Sequence, residues 1–383
     1  VTQSLRTYWH GLGDADRYVA WIALALAALG AVAVYSATAF LAGGAGGPGA
    51  EHYLLRHVVR AGVALGAMAL FSVIDYRRLA DFGKLLLVGA LGLLVAVKLV
   101  GVARGGAQRW IDLGAFGFQP SELAKGALLL YVAVLLVQKQ GYIKSFERAF
   151  APVFFWVFAT VALIGLDDLS TAFIVLVAVV LMCFVARVSV LQLGGLAVTG
   201  VALAFILLCF SPGRAARVEA YTGMNLFPGT NTEQVFDEQA EGYQAQQAKI
   251  AIARGGLLGV GPGKSVQRDF LPAPYNDFIF AIVAEEYGFV GAALLLGLFG
   301  ALLFRGLMRV ARRALDPLGL VLATGLTVTV ALYGFIHAGV ACGLLPVTGL
   351  PMPLVSYGGT AMLSNGIMLG ILLNISRSAR KDS

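Results

Sequence analysis

Uninterrupted apolar runs of about 20 residues recur along the whole of this 383-residue chain, and no other feature limits its fold so tightly. A run of that length crosses about 30 Å of hydrocarbon as a helix. Within hydrocarbon every backbone N–H and C=O must be paired inside the protein, so only helices and closed barrels can span. A barrel needs short segments alternating in period two, and such alternation is absent. The predicted fold class is therefore all-α: a polytopic membrane protein with about ten transmembrane helices. The spans are read at 18–41, 57–74, 82–100, 122–138, 150–166, 171–187, 190–210, 277–304, 317–342 and 353–375. Residues 211–276, between the seventh and eighth, form a large extracytoplasmic loop, and 1–383 is read as a single transmembrane domain. The first run, beginning near Tyr18, has no small-residue cleavage site after a short core and reads as a retained span.

Charge supports lipid as the solvent. Only 13% of residues are charged, against about 25% in a soluble domain. The net charge of +7 resembles a nucleic-acid signature, but the basic residues sit in short connections between apolar runs. They read as topology signals, and nucleic acid is not an expected partner. Arg77, Arg78, Lys84, Lys139, Lys144, Arg148, Arg187, Arg305, Arg309, Arg312, Arg313, Arg377, Arg380 and Lys381 fall on one side. The short connections of the other side hold Arg56, Lys98, Arg104 and Arg109, and 343–352 has no charge. Positive residues stay inside, so both termini are expected in the cytoplasm and 211–276 outside. Cys183, Cys209 and Cys342 all lie in apolar stretches, without the spacing of a disulfide framework or a zinc site.

The informative residues are polar groups where lipid-facing sequence does not tolerate them. Pro120-Ser121-Glu122 has the form of a helix start, with a carboxylate at the positive end of the dipole. Glu122 and Lys125 are three apart and share a face, as an ordinary ion pair or as part of a site. Arg109-Trp110, just before, suits a diphosphate headgroup and an interfacial anchor. Asp167-Asp168-Leu169-Ser170-Thr171 offers adjacent carboxylates for a cation, or a cap for the next helix. The run from Gly255 to Ser265 lacks the spacing and the preceding strand of a nucleotide-binding P-loop, but its glycine-rich backbone can offer amides to a phosphate. Asp277 opens a span, where it or Asn276 can cap the helix. Glu285 and Glu286 fall about two turns deeper and each needs a cavity, a partner or a proton. Pro346, Pro351 and Pro353 with Ser356-Tyr357-Gly358-Gly359 read as a stiff, structural connection.

These motifs, in this order, resemble the SEDS proteins (shape, elongation, division and sporulation), the RodA/FtsW peptidoglycan polymerases. The resemblance covers nearly all of the chain. It rests on Asp75-Tyr76-Arg77-Arg78-Leu79, QRWIDLGAFGFQPSELAK at 108–125, GLLGVGPGKS at 256–265, DFIFAIVAEEYG at 277–288 and PLVSYGG at 353–359. It implies polymerisation of lipid II at the outer face of the bacterial cytoplasmic membrane. Asp277 falls on the family's catalytic aspartate, where a carboxylate accepts the attacking hydroxyl's proton or holds a divalent cation, Mg or Mn. Glu122 and Lys125 match the functional Glu and Lys of the QPSE-x-x-K motif. Arg109 and Arg56, with Lys264 and Arg268 of the glycine-rich segment, are further candidates to contact substrate. The implied partners are lipid II, membrane lipids and a class B penicillin-binding protein that cross-links the glycan. Two motifs depart from the family: Tyr275-Asn276 stand where many members have His-Thr, and Asp167-Asp168-Leu169-Ser170-Thr171 replaces Pro-Asp-Leu-Gly-Thr. GKS-x-QR followed by Leu271-Pro272 places the chain nearer the FtsW branch. The competing reading is a lipid II flippase, which should carry its key charges near the midplane rather than at the outer margin.

Overall fold

The computed structural model describes residues 15–39, 49–104, 107–112, 117–224, 226–227, 241–271 and 273–378. Helix α1 (Arg17–Thr38) is capped by the Asp16 carboxylate, which accepts from the Tyr18 and Val19 amides. It is followed by α2 (Ala50–Val73), the short α3 (Tyr76–Asp81) and α4 (Gly83–Val100). Three short antiparallel strands follow, β1 (Val102–Arg104), β2 (Ala107–Asp112) and β3 (Gly117–Phe118), in spatial order β1-β2-β3. The chain continues through α5 (Pro120–Gln138), α6 (Ala151–Gly165), α7 (Leu169–Val185) and α8 (Val190–Cys209). Two shorter helices, α9 (Pro212–Thr222) and α10 (Glu241–Gly255), precede α11 (Ile279–Arg305), α12 (Pro317–Ala341) and α13 (Gly359–Arg377).

Eight helices among the described residues are long and apolar enough to cross a membrane, so the chain is an all-α polytopic membrane protein. Several bounds differ from the hydropathy reading. Helix α2 begins at Ala50 rather than 57, because hydropathy registers only the lipid-facing part while Glu51, His52 and Arg56 extend the helix beyond it. Helix α11 begins at Ile279, leaving Asp277 in the preceding turn, and its N-cap residue is Phe278. Neither Asp277 nor Asn276 occupies the cap. Helix α13 begins at Gly359, because residues 353–357 form a turn that carries Leu354 at φ 60°. The 102–118 segment, expected only as a connection, contains the small sheet.

Glycine sets two close approaches that matter for the site. Gly366 and Gly370 stand one turn apart on α13, which packs along α2. A Cβ at either would lie 2.2 Å from the Ala64 carbonyl or 2.6 Å from the Met68 carbonyl, so only glycine admits this crossing. The second is a break in α11 at Gly288, held at φ 65° and ψ −163°, a region open essentially to glycine alone. The backbone groups freed there pair with the glycine-rich loop. Val260 and Gly261 donate to the Glu285 and Glu286 carbonyls at 2.9 and 3.0 Å. Phe289 and Val290 donate to the Gly256 and Leu257 carbonyls at 2.9 and 3.2 Å. Irregular backbone at membrane depth survives only when another part of the protein satisfies it in this way.

Candidate active site

The PSE start of α5 forms as the sequence predicts, with Pro120 in the first turn and Glu122 behind it. Glu122 and Lys125 are buried, 4% and 0% exposed, and pair at 2.7 Å. Neither of the paired atoms has a further hydrogen-bond partner among the described residues. The Lys125 ammonium also lies 4.2 Å from the centroid of the Tyr333 ring, on α12.

Glu122 reaches the wall of a cavity of about 520 Å³. The same wall carries Asp277, Arg109, Trp110, Asp168 and Arg60, with Gly349, Leu350 and Pro351 on one side. Residues as far as 291 positions apart in sequence, Arg60 and Pro351, thus converge, and three carboxylates share the space with two guanidinium groups. Arg109 is half-buried on β2, and its Nε has no hydrogen-bond partner among the described residues. Arg60 lies with its guanidinium carbon 4.3 Å from the Tyr357 ring centroid, and the α2–α13 crossing holds it beside Gly359.

The turn bearing Asp277 is clipped to the 352–357 turn. Tyr357 donates its N–H to the Tyr275 carbonyl at 2.9 Å. The Ser356 hydroxyl donates to the Asn276 carbonyl at 2.7 Å and accepts from the Met352 N–H at 2.8 Å. Tyr53, Tyr275 and Tyr357 pack ring against ring, with centroids 5.2 to 5.7 Å apart. Burial, with Tyr53 and Tyr357 alongside, pushes the Tyr275 hydroxyl up to about 12, so it stays protonated at neutral pH. The proline-rich connection, read as structural, holds the two residues before Asp277 through these contacts and also puts Pro351 and Tyr357 on the cavity wall. A Cβ on Gly349 would lie 3.7 Å from Asp277 Oδ2, so a residue without a side chain faces this carboxylate.

Asp168 caps α7, accepting the Thr171 N–H at 2.9 Å, and also lines the cavity. Its neighbour Asp167 pairs instead with Lys98.

The other candidates lie elsewhere. Arg56 is exposed on α2, one turn before Arg60, and does not line the cavity. Lys264 is exposed. Arg268 donates from Nη1 to the Ser36 carbonyl at 3.0 Å and lies 4.0 Å from the Glu286 carboxylate. The glycine-rich loop does not offer the amides of 265–267 to a phosphate, because two carboxylates already take them. Glu285 accepts from Val266 and Gln267 N–H at 3.1 and 3.2 Å and from the Ser265 hydroxyl. Glu286 accepts from the Ser36 hydroxyl and, at 3.4 Å, from Ser265 N–H. The loop therefore supplies the partners that Glu285 needs, while Glu286 is held chiefly by the Ser36 hydroxyl of α1.

Residues 16–381 match the FtsW/RodA/SpoVE family of cell cycle proteins. The chain belongs to this family. It is 37% identical over 369 residues to the stage V sporulation protein E of Bacillus subtilis strain 168, covering 95% of this chain and 98% of that protein. It is 38% identical over 365 residues to a "Probable peptidoglycan glycosyltransferase FtsW" of Hahella chejuensis, covering 93% and 89%. FtsW proteins recur among the relatives, which sets this FtsW/RodA/SpoVE chain toward the FtsW branch. Among solved structures it is similar to a chain of a peptidoglycan synthase complex described as coordinating polymerization and crosslinking. That likeness has a TM-score of 0.74 at 29% identity, over 96% of this chain and 99% of the other. The rod shape determining protein RodA of Thermus thermophilus matches with a TM-score of 0.69 at 29% identity, over 96% and 98%.

Within this FtsW/RodA/SpoVE chain the sequence reading missed Arg60, Tyr275 and Tyr333. Arg60 was legible as a charge inside an apolar run, but its position near one end of that run also fits snorkelling to the interface. Tyr275 stood out only as a departure from the family's His-Thr, and Tyr333 gave no signal, since it is one aromatic among many until its distant partners are known.

Proposed function

We infer that this chain is a peptidoglycan glycosyltransferase that polymerises lipid II into glycan strands at the outer face of the cytoplasmic membrane. The observation that carries the reading is the cavity wall on which Asp277, matching the family's catalytic aspartate, stands with Arg60, Arg109 and Glu122. In the reaction the acceptor sugar's 4-hydroxyl attacks the anomeric carbon of the donor. A carbon–oxygen bond forms there as the bond to the polyprenyl diphosphate breaks, and Asp277 takes the hydroxyl proton. Arg109 and Arg60 receive the departing diphosphate, since a guanidinium fork matches phosphate oxygens in plane and in charge. Glu122, its charge balanced by Lys125, supplies an acceptor to sugar hydroxyls or amides without adding net repulsion.

A divalent cation, Mg or Mn, fits the donor set as a shared ligand. No group of three or more His, Cys, Asp or Glu gathers among the described residues. Asp277 on the cavity wall would hold it together with substrate phosphate oxygens, the manner in which Mg is usually bound. Such an ion neutralises charge on the leaving diphosphate.

The reading includes ten spans, with α4 and α7 added to the eight candidate spans above, and both termini in the cytoplasm, which the one-sided basic residues support. It includes a class B penicillin-binding protein as partner, suggested by the relative solved within a synthase complex. The test is purified chain with lipid II and Mg or Mn, with and without that partner, scored for glycan strands. Strands of many disaccharides support polymerisation. Transfer of labelled lipid II across liposomes with no glycan under either metal would establish a flippase instead.

A further inference from the structure

Beneath the cavity runs a line of buried side chains that the polymerase reading leaves unused. Asp168 Oδ2 accepts the Thr171 hydroxyl at 2.8 Å, and that same hydroxyl lies 2.8 Å from the Tyr333 hydroxyl. Thr171 has one proton and gives it to the carboxylate, so Tyr333 is the donor in the second bond. Asp168 thereby ends a directed chain of hydrogen bonds, with its carboxylate fixed as an acceptor on the cavity wall. The other side of Tyr333 serves Lys125, whose ammonium sits 4.2 Å from the ring centroid and 2.7 Å from Glu122.

Tyr333 is 1% exposed and packs with Ile174 and Leu350. Leu350 lies on the cavity wall next to Gly349, the glycine facing Asp277. Three parts of the wall therefore rest on one ring: the Glu122–Lys125 pair, Asp168, and the segment opposite Asp277. Lys125 is fully buried and pairs with a single carboxylate among the described residues, and the ring face is its second source of negative potential. A leucine would fill the same core and supply neither contact.

We propose that Tyr333 is a positioning residue of the polymerase, setting Lys125 with its ring and Asp168 with its hydroxyl so that Glu122 and Asp168 meet lipid II at a fixed spacing. The proposal rests on the lipid II reading above. Because Tyr333 touches no substrate, its effect is on how well the ground-state complex is held, and so on KM.

The test is steady-state polymerisation by the full chain carrying Tyr333→Phe, Thr171→Val, both together, or Tyr333→Leu. Tyr333→Phe keeps the ring and removes one buried hydrogen bond, so KM for lipid II should rise roughly fivefold with kcat within about twofold. Thr171→Val should do the same, and the double variant should be no worse than either alone, because both cut one chain. Tyr333→Leu removes the cation–π contact as well and should raise KM by about thirtyfold or more. A residue that merely packs the core would lower the yield of folded protein and leave KM unchanged. Unchanged KM in Tyr333→Phe and Thr171→Val overturns the proposal, and these two near-isosteric variants decide it even where Tyr333→Leu does not fold. Wild type assayed alongside separates the failures. No glycan from wild type overturns the polymerase reading and this proposal with it, whereas a normal wild type with unchanged variants overturns only the role of Tyr333.

Discussion

Replacing Glu285 by Gln should release the glycine-rich loop from the break in α11. Glu285 is 0% exposed, and its two oxygens accept from Val266 N–H at 3.1 Å, Gln267 N–H at 3.2 Å and the Ser265 hydroxyl. A glutamine has one acceptor oxygen in place of two. However it is turned, at least one backbone N–H then faces an NH₂ group in a buried site. Losing one bond to a charged acceptor costs about 1.5–3 kcal/mol. At about 1.36 kcal/mol per decade, that is a roughly 10- to 150-fold larger population of the opened loop. Amide hydrogen exchange of 265–267 in detergent or nanodiscs reads this population directly, and the exchange should accelerate by that factor. Glu286→Gln is the internal comparison. Glu286 Oε2 has no hydrogen-bond partner among the described residues, and its other oxygen takes the Ser36 hydroxyl and only a long contact from Ser265 N–H. Its effect on the same amides should therefore be smaller, below about fivefold. Exchange in Glu285→Gln within about twofold of wild type, or a larger effect from Glu286→Gln, would refute the idea that these carboxylates hold the loop.

Two further outcomes follow from buried and capping charges. Lys125→Met should abolish polymerisation and also destabilise the fold by about 3–5 kcal/mol, because it strands the Glu122 carboxylate in a buried site. Glu122→Gln with Lys125→Met, which removes both charges, should regain thermal stability without regaining activity; recovery of both would make the pair purely structural. At the start of α12, Asp316 caps the helix and accepts from Gly319 N–H, the Tyr76 hydroxyl and Arg77 Nε. Burial opposes its charge, but these hydrogen bonds outweigh it and hold the carboxyl below the usual range. Its stabilising share is therefore complete above the unfolded value of about 3.9 and is lost as pH falls through the lower folded value. Asp316→Asn should be less thermostable than wild type at pH 7 and lose less on acidification below about pH 4; an identical acid loss in both would contradict the assignment.

Much of the fold was legible because lipid leaves a chain few choices: the apolar runs located the helices, and the basic residues suggested their direction. The ends of α2, α11 and α13 were not, since the hydrocarbon boundary and the helix boundary are different things. The Glu122–Lys125 contact could be read from a spacing of three on one helix. Asp168 was read as a cap and is one, yet its place on the cavity wall depends on α12 and could not be read locally. The glutamates Glu285 and Glu286 announced that they needed partners. Those of Glu285 sit on a loop about twenty residues earlier, whose glycines suggested a phosphate instead, and the nearest partner of Glu286 is Ser36 on α1. The setting of Arg60 against Tyr357 joins positions 297 residues apart through a glycine-mediated helix crossing, which no local pattern encodes.

The most direct measurement is the rate of glycan formation by Asp277→Asn, purified with its partner and assayed with lipid II and Mg or Mn. An Asp277-centred transfer predicts a loss of about 100-fold or more, with thermal stability and lipid II binding close to wild type. Polymerisation by Asp277→Asn at the wild-type rate would contradict it.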